Sequence, residues 1–183
     1  MAPRPRRTNL VWLDLETTGI AVETCAILEI ATIVTDKELE ILAEGPSRVI
    51  HQPERVLARM EPWAAKQHAQ SSLLDEVRAS RVTLAQAEEE TLEFLRHYCV
   101  RQAVPLCGNS ICFDRRFLIQ YMPGLDAFLS YRNVDVSSIT ELVSRWYSGE
   151  KVIDDKASRH RALDDIRESI EELRAYRRTV FKE

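Results

Sequence analysis

Apolar residues run almost unbroken through residues 9–16, NLVWLDLE, before Thr17, Thr18 and Gly19 signal a turn. This pattern predicts a central buried strand whose end carries carboxylates. Residues 26–36 and 39–50 continue in strand-forming residues, with Asp36 and Lys37 between them as a hairpin connection and Gly45-Pro46 as an interruption of the third strand. Three consecutive strands predict an antiparallel meander.

Residues 53–80 are mixed in pattern. Across residues 83–98, Leu84, Ala87, Thr91, Phe94, Leu95 and Tyr98 recur at helical spacing behind Thr83, a suitable N-cap. Residues 104–107 form a short apolar strand leading into Gly108-Asn109-Ser110. Phe113, Phe117, Leu118 and Tyr121 then mark a helix that stops near Pro123-Gly124, which puts Asp114 close to a helix N-terminus. Residues 132–136 predict another strand, residues 137–147 a helix starting on Ser137 or Ser138, and residues 149–159 a polar loop. A last helix over about residues 161–176 buries Leu163, Ile166, Ile170 and Leu173. A meander followed by alternating strands and helices predicts an α/β fold: a mixed sheet, antiparallel and then parallel, with helices on both faces.

With 183 residues and 45% of them apolar, the chain can bury one substantial core. The expectation is a single domain over residues 9–183 behind a flexible basic tail, residues 1–8, that carries Arg4, Arg6 and Arg7. Charges break every apolar run well short of the roughly 20 residues of a membrane span, and no signal-type apolar stretch precedes the first strand. A cytoplasmic protein with no membrane partner is expected. Cys25, Cys99, Cys107 and Cys112 show no paired C-x-x-C spacing and stand among aliphatic residues, as reduced core or near-core thiols do. The net charge of −4 is unsuited to gripping a long phosphate backbone or duplex. A nucleic-acid substrate would have to be short, or be held through metal ions.

Asp14 and Glu16 stand two apart on the predicted first strand, so both leave one face while Leu13 and Leu15 leave the other. A strand ending at Leu13 would instead leave both acids in a solvated turn, and the pair alone does not decide. Asp114 and the Asp164-Asp165 pair near His160 add weight, because hard oxygen donors in that number suit Mg²⁺ or Mn²⁺ and not zinc. Two such ions about 3.5 to 4 Å apart bridge a phosphodiester, one activating water and one stabilising the leaving oxygen. His160 is five positions before Asp165, too far around a helix to share its face, and so belongs to the loop leading into that helix. From there it would either cap the helix or deprotonate the attacking water, a role that its ordinary pKa of about 6.5 suits. Periodicity does not choose between Asp164 and Asp165.

Four segments, DLETTG (residues 14–19), GNSICFDRRFL (108–118), YRNVDVS (131–137) and HRALDDIRESI (160–170), together with LAEGP (42–46), resemble the oligoribonucleases from about residue 9 to the C-terminus. That family belongs to the DEDDh exonucleases on a ribonuclease H-like fold. The resemblance implies that Asp14, Glu16, Asp114 and Asp165 hold two divalent cations and that His160 is the general base, the H-x-x-x-x-D spacing selecting Asp165. It also implies a substrate the size of an RNA dinucleotide, with its 5′ end capped by residues matching Ser110, Arg132, Ser137 and Thr140. Ile20 matches the family's apolar wedge, and Trp63 and His68 match residues lining its pocket. The alternative for Trp63 is ordinary core packing. Tyr131 matches a tyrosine that reaches the catalytic site from a partner subunit, which implies a homodimer. The same acid and histidine spacings occur in relatives that trim or proofread longer RNA or DNA, so that substrate class stays open. A non-catalytic nucleotide-binding module is the third reading, and the complete set of four acids and one histidine argues against it.

Overall fold

The computed structural model describes residues 4–147 and 161–182. The first predicted strand is β1 (Leu10–Thr17), and it runs through the middle of the molecule. On one side it pairs antiparallel with β2 (Ile27–Thr35), which pairs antiparallel with β3 (Ile41–Val49). On the other it pairs parallel with β4 (Leu106–Gly108), which pairs parallel with β5 (Asn133–Asp135). The resulting order is β3-β2-β1-β4-β5. This is the expected mixed sheet, an antiparallel meander extended by parallel strands.

Residues 53–80, which showed no clear period, form three short helices: α1 (Glu54–Leu57), α2 (Pro62–His68) and α3 (Leu73–Ala79). They are followed by α4 (Leu84–Tyr98), whose Thr83 hydroxyl accepts from the N–H of Gln86 as an N-cap should. Then come α5 (Cys112–Tyr121), α6 (Pro123–Phe128), α7 (Val136–Trp146) and α8 (Ala162–Thr179). The strand alternation of β1 sorts these helices into layers. Val11, Leu13 and Leu15 pack with Leu95 of α4, Phe117 of α5 and Leu125 of α6. Trp12 packs on the opposite face with Val143 of α7 and with Ile166 and Ile170 of α8. Period two then sends Asp14 and Glu16 to the α8 side as well.

Several expectations change. Gly45 and Pro46 do not interrupt β3; they fall at a register shift, between the pairs Ala31–Ser47 and Ile33–Glu44. Pro46 is tolerated because β3 is an edge strand, and a Cβ on Gly45 would stand 2.6 Å from the Phe94 ring of α4. Helix α7 starts at Val136, not at Ser137 or Ser138, because the side chain of Asp135 accepts the Ser137 N–H and caps it. Of the four cysteines, Cys25, Cys99 and Cys107 are buried free thiols and Cys112 is exposed. In the stretch expected to be a tail, the Arg6 N–H donates to the Tyr98 carbonyl at 3.0 Å. The polar loop predicted over residues 149–159 lies outside the described residues. Among those described, no helix is long and apolar enough to cross a membrane.

Candidate active site

Asp165 lies in the first turn of α8, directly across from the end of β1. One carboxylate oxygen each from Asp14, Glu16 and Asp165 lie within 4.8 Å of one another. Asp164, which periodicity left equivalent, turns away and pairs with Arg167 at 3.0 Å. The choice between the two aspartates is thus made by the docking of α8 on the sheet. Asp114 of α5 is buried, and its Oδ1 accepts the backbone N–H of Leu15, the residue between Asp14 and Glu16.

The electrostatics of this group are strained without a cation. Burial, and then the charges of Asp14, Asp165 and Glu29, push the Glu16 carboxyl up to about 9, against a lowering influence from Arg161. Burial and the neighbouring Asp14 likewise hold Asp114 well above the usual carboxylate range, although the Leu15 N–H opposes them. Clustered buried acids cannot all ionise unless positive charge joins them. Oxygen donors converging in this way fit a divalent metal ion.

A second acidic group supports the first. Glu29 of β2 sits directly opposite Glu16 and is buried. Arg161, at the start of α8, donates to both oxygens of Glu29 at 3.1 Å and to both of Glu76 on α3 at 2.9 and 3.0 Å. This fork fixes the beginning of α8 against the sheet. His160, the predicted general base immediately before Arg161, lies outside the described residues.

The residues expected to meet substrate lie on several separate elements. Ile20, in the loop after β1, is 53% exposed, and Trp63 on α2 is 43% exposed, so Trp63 is not a core residue. His68 is buried beneath the first motif, with its Nε2–H donating to the Thr17 carbonyl at 2.9 Å and its Nδ1 3.8 Å from a Glu16 oxygen. Ser110, in the β4–α5 turn with φ 49°, donates its N–H to the Ser137 hydroxyl at 2.9 Å and to Asp135 at 3.0 Å. Thr140 is linked to Glu172 of α8 at 2.8 Å and to the Tyr176 hydroxyl at 3.0 Å. Arg132 lies over its own neighbour Tyr131, its guanidinium carbon 5.5 Å from the ring centre, and Tyr131 is 82% exposed.

Sequence reasoning missed Glu61, Glu29, Arg161 and the polar group of Asn109, Ser169 and Glu172. Asn109 donates to Ser169 at 2.8 Å and to Glu172 at 3.0 Å, and accepts from Ser137 at 3.0 Å. One signal was available: Asp165, Ser169, Glu172 and Tyr176 recur at steps of four and three, a polar stripe along one face of α8. Glu61 and Glu29 left no such pattern.

A family model described as an exonuclease, RNase T, matches residues 11–173. The oligoribonuclease of Ruthia magnifica is 52% identical over 94% of this chain and 96% of its own length. That of Pseudomonas aeruginosa is 52% identical over 95% of this chain and 97% of its own. Among solved structures, exonuclease I of E. coli aligns with a TM-score of 0.71 at 13% identity, covering 93% of this chain and 40% of that one. Exonuclease I of Methylocaldum szegediense aligns with a TM-score of 0.68 at 17% identity, over 94% of this chain and 41% of that one. The chain spans about two fifths of those proteins, and the likeness is one of fold, the ribonuclease H-like α/β sheet. With relatives of such identity along nearly its whole length, the chain belongs to the oligoribonuclease family of 3′→5′ exoribonucleases.

Proposed function

We propose that the protein degrades very short RNAs from the 3′ end, dinucleotides above all, and releases 5′-mononucleotides. The observation that carries the chemistry is the convergence of Asp14, Glu16 and Asp165 at the end of β1, with Asp114 bound to the same strand. These four acids would hold two divalent cations, Mg²⁺ or Mn²⁺. Ions so bound would polarise the scissile phosphodiester and would offset the charge on its leaving oxygen.

The remaining work falls to the chain's own groups. His160 is the general base that takes a proton from the attacking water. The water oxygen bonds to phosphorus, the bond from phosphorus to the 3′ oxygen breaks, and that oxygen takes a proton from solvent while His160 returns its own to solvent. Ser110, Ser137, Thr140 and Arg132 receive the 5′ phosphate, with Arg132 suited to a two-pronged contact. Ile20 and Trp63 contact the bases, His68 orients the first motif, and Tyr131 enters from a partner copy in a homodimer. A net charge of −4 is compatible with this reading, because a closed pocket with a few donors replaces a basic groove.

A time course on 5′-labelled RNAs of two, three, seven and twenty nucleotides with Mg²⁺ or Mn²⁺ tests it. Rapid loss of the dinucleotide with slow attack on the twenty-mer is expected. The opposite order would assign the same acids to a long-substrate exonuclease.

A further inference from the structure

Glu61 stands at the N-cap position of α2, two residues before Trp63; its side chain makes no capping bond there and has no task in the chemistry above. Its Oε2 accepts the Trp63 indole N–H at 2.7 Å. Its Oε1 accepts the backbone N–H of Ile20 at 3.1 Å and lies 3.5 Å from both the Ala21 N–H and the Cys25 thiol. The Glu61 N–H in turn donates to the Thr18 carbonyl at 2.9 Å. One carboxylate therefore ties a side chain of α2 to the main chain of the loop after β1. The arrangement requires glycine at position 19, where a Cβ would stand 2.4 Å from the Glu61 carboxyl carbon. The Trp63 indole, with smaller help from Cys25 and the loop N–H groups, holds Glu61 below the usual carboxylate value. It is an ionised acceptor at neutral pH, and such charge-assisted bonds are stronger than neutral ones.

The two residues joined in this way both expose large apolar side chains. An exposed aromatic free to rotate loses that freedom when a ligand stacks on it, whereas one already held does not. We propose that Glu61 is a positioning residue that locks Ile20 and Trp63 into one preformed nucleobase platform and so sets affinity for the base that occupies it. The proposal rests on the reading of Ile20 and Trp63 as base contacts.

The test compares wild type, Glu61→Gln, Glu61→Asp and Trp63→Ala on an RNA dinucleotide and on the two dinucleotides that each lack one base. Gln keeps the size of Glu61 but turns an NH₂ group toward one of its two donors, and Asp is too short to reach both. Each Glu61 variant is expected to raise KM for the complete dinucleotide about tenfold, within the range for one weakened base stack. kcat should stay within about threefold on the same scale. KM should be unchanged on the dinucleotide lacking the base that the platform holds. An equal rise in KM on all three substrates, or a fall in kcat alone, would show that Glu61 merely supports the loop and would overturn the proposal. Unchanged KM in both Glu61 variants beside a raised KM in Trp63→Ala would overturn it while leaving the base-contact reading intact. Unchanged KM in Trp63→Ala would remove that reading and the proposal with it.

Discussion

Asp114 Oδ1 accepts the backbone N–H of Leu15 at 2.9 Å, across 99 residues of sequence. Leu15 separates Asp14 from Glu16, so this bond ties the buried acid of α5 to the strand that presents the other two. Asp114→Asn keeps the shape and can still accept from Leu15, but removes the charge. Turnover of a dinucleotide is expected to fall more than about 100-fold, beyond the loss typical of groups one shell removed from a metal. Asp14→Asn should behave alike, and thermal unfolding of both should stay close to wild type. Initial rates alongside calorimetry check this, and retained turnover would remove the residue from the cation-holding set.

The raised carboxyl of Glu16 makes stability depend on pH and on metal together. Its folded value of about 9 exceeds its ordinary value of 4.5, so between those limits the native state holds a proton that the unfolded chain has released. The stabilising effect is complete below pH 4.5 and is lost as pH rises through about 9. The metal-free protein should therefore lose Tm from pH 5.5 to 8.5, on the order of several degrees. Saturating Mg²⁺ should raise Tm, and more so at the higher pH, because the cation binds the ionised acids. Glu16→Gln should flatten both trends. A Mg²⁺ effect independent of pH in the wild type would refute the coupling.

Arg161 holds Glu29 and Glu76 at once, and Glu29 is only 1% exposed. Arg161→Ala would leave the Glu29 carboxylate buried without its cation, at a cost of about 3 kcal/mol, the low end for broken buried pairs because the guanidinium is partly solvated. Arg161→Lys should recover part of that, since a single ammonium cannot fork to two carboxylates. Urea unfolding measures the loss, and a change under about 0.5 kcal/mol, typical of a surface site, would contradict it.

The Glu172 carboxylate accepts from Asn109 and Thr140 and lies 3.4 Å from the Tyr176 hydroxyl, joining α8 to α7 and to the β4–α5 turn. Glu172→Ala should destabilise the protein by about 2 kcal/mol or more, because buried donors lose their acceptor. Its unfolding midpoint should drop without a change in slope. A midpoint equal to wild type would mean that water replaces the carboxylate at no cost.

Tyr131 is 82% exposed in the single chain. If it completes a partner's site, Asp14→Asn and Tyr131→Ala protomers are each deficient, yet mixing them creates dimers with one intact site. Equal mixing with exchange should restore roughly a quarter of wild-type turnover, half the dimers each having one of two sites. Additive activity with no gain would place Tyr131 outside the partner's site.

By itself, the order of apolar and polar residues determined the meander, the later alternation of strands and helices and the Thr83 cap, and it offered a shared face for Asp14 and Glu16 that the length of β1 then made good. These are local matters, set by periods of two and 3.6 and by capping chemistry within a turn. Gly45-Pro46 drew notice in sequence as a break in the strand, but it proved to be a register shift, tolerated because β3 is an edge. What only the tertiary structure decided is which distant groups meet. Docking of α8 on β1 set Asp165, the aspartate that the family spacing had already singled out and that periodicity could not, beside Asp14 and Glu16, and the β1–β2 register set Glu29 opposite Glu16, where Arg161 answers it. Glu61 reached both Trp63 and Ile20 only because α2 folds back over the loop at Gly19. Such contacts join residues tens of positions apart through packing and charge, and no periodicity within one segment encodes them.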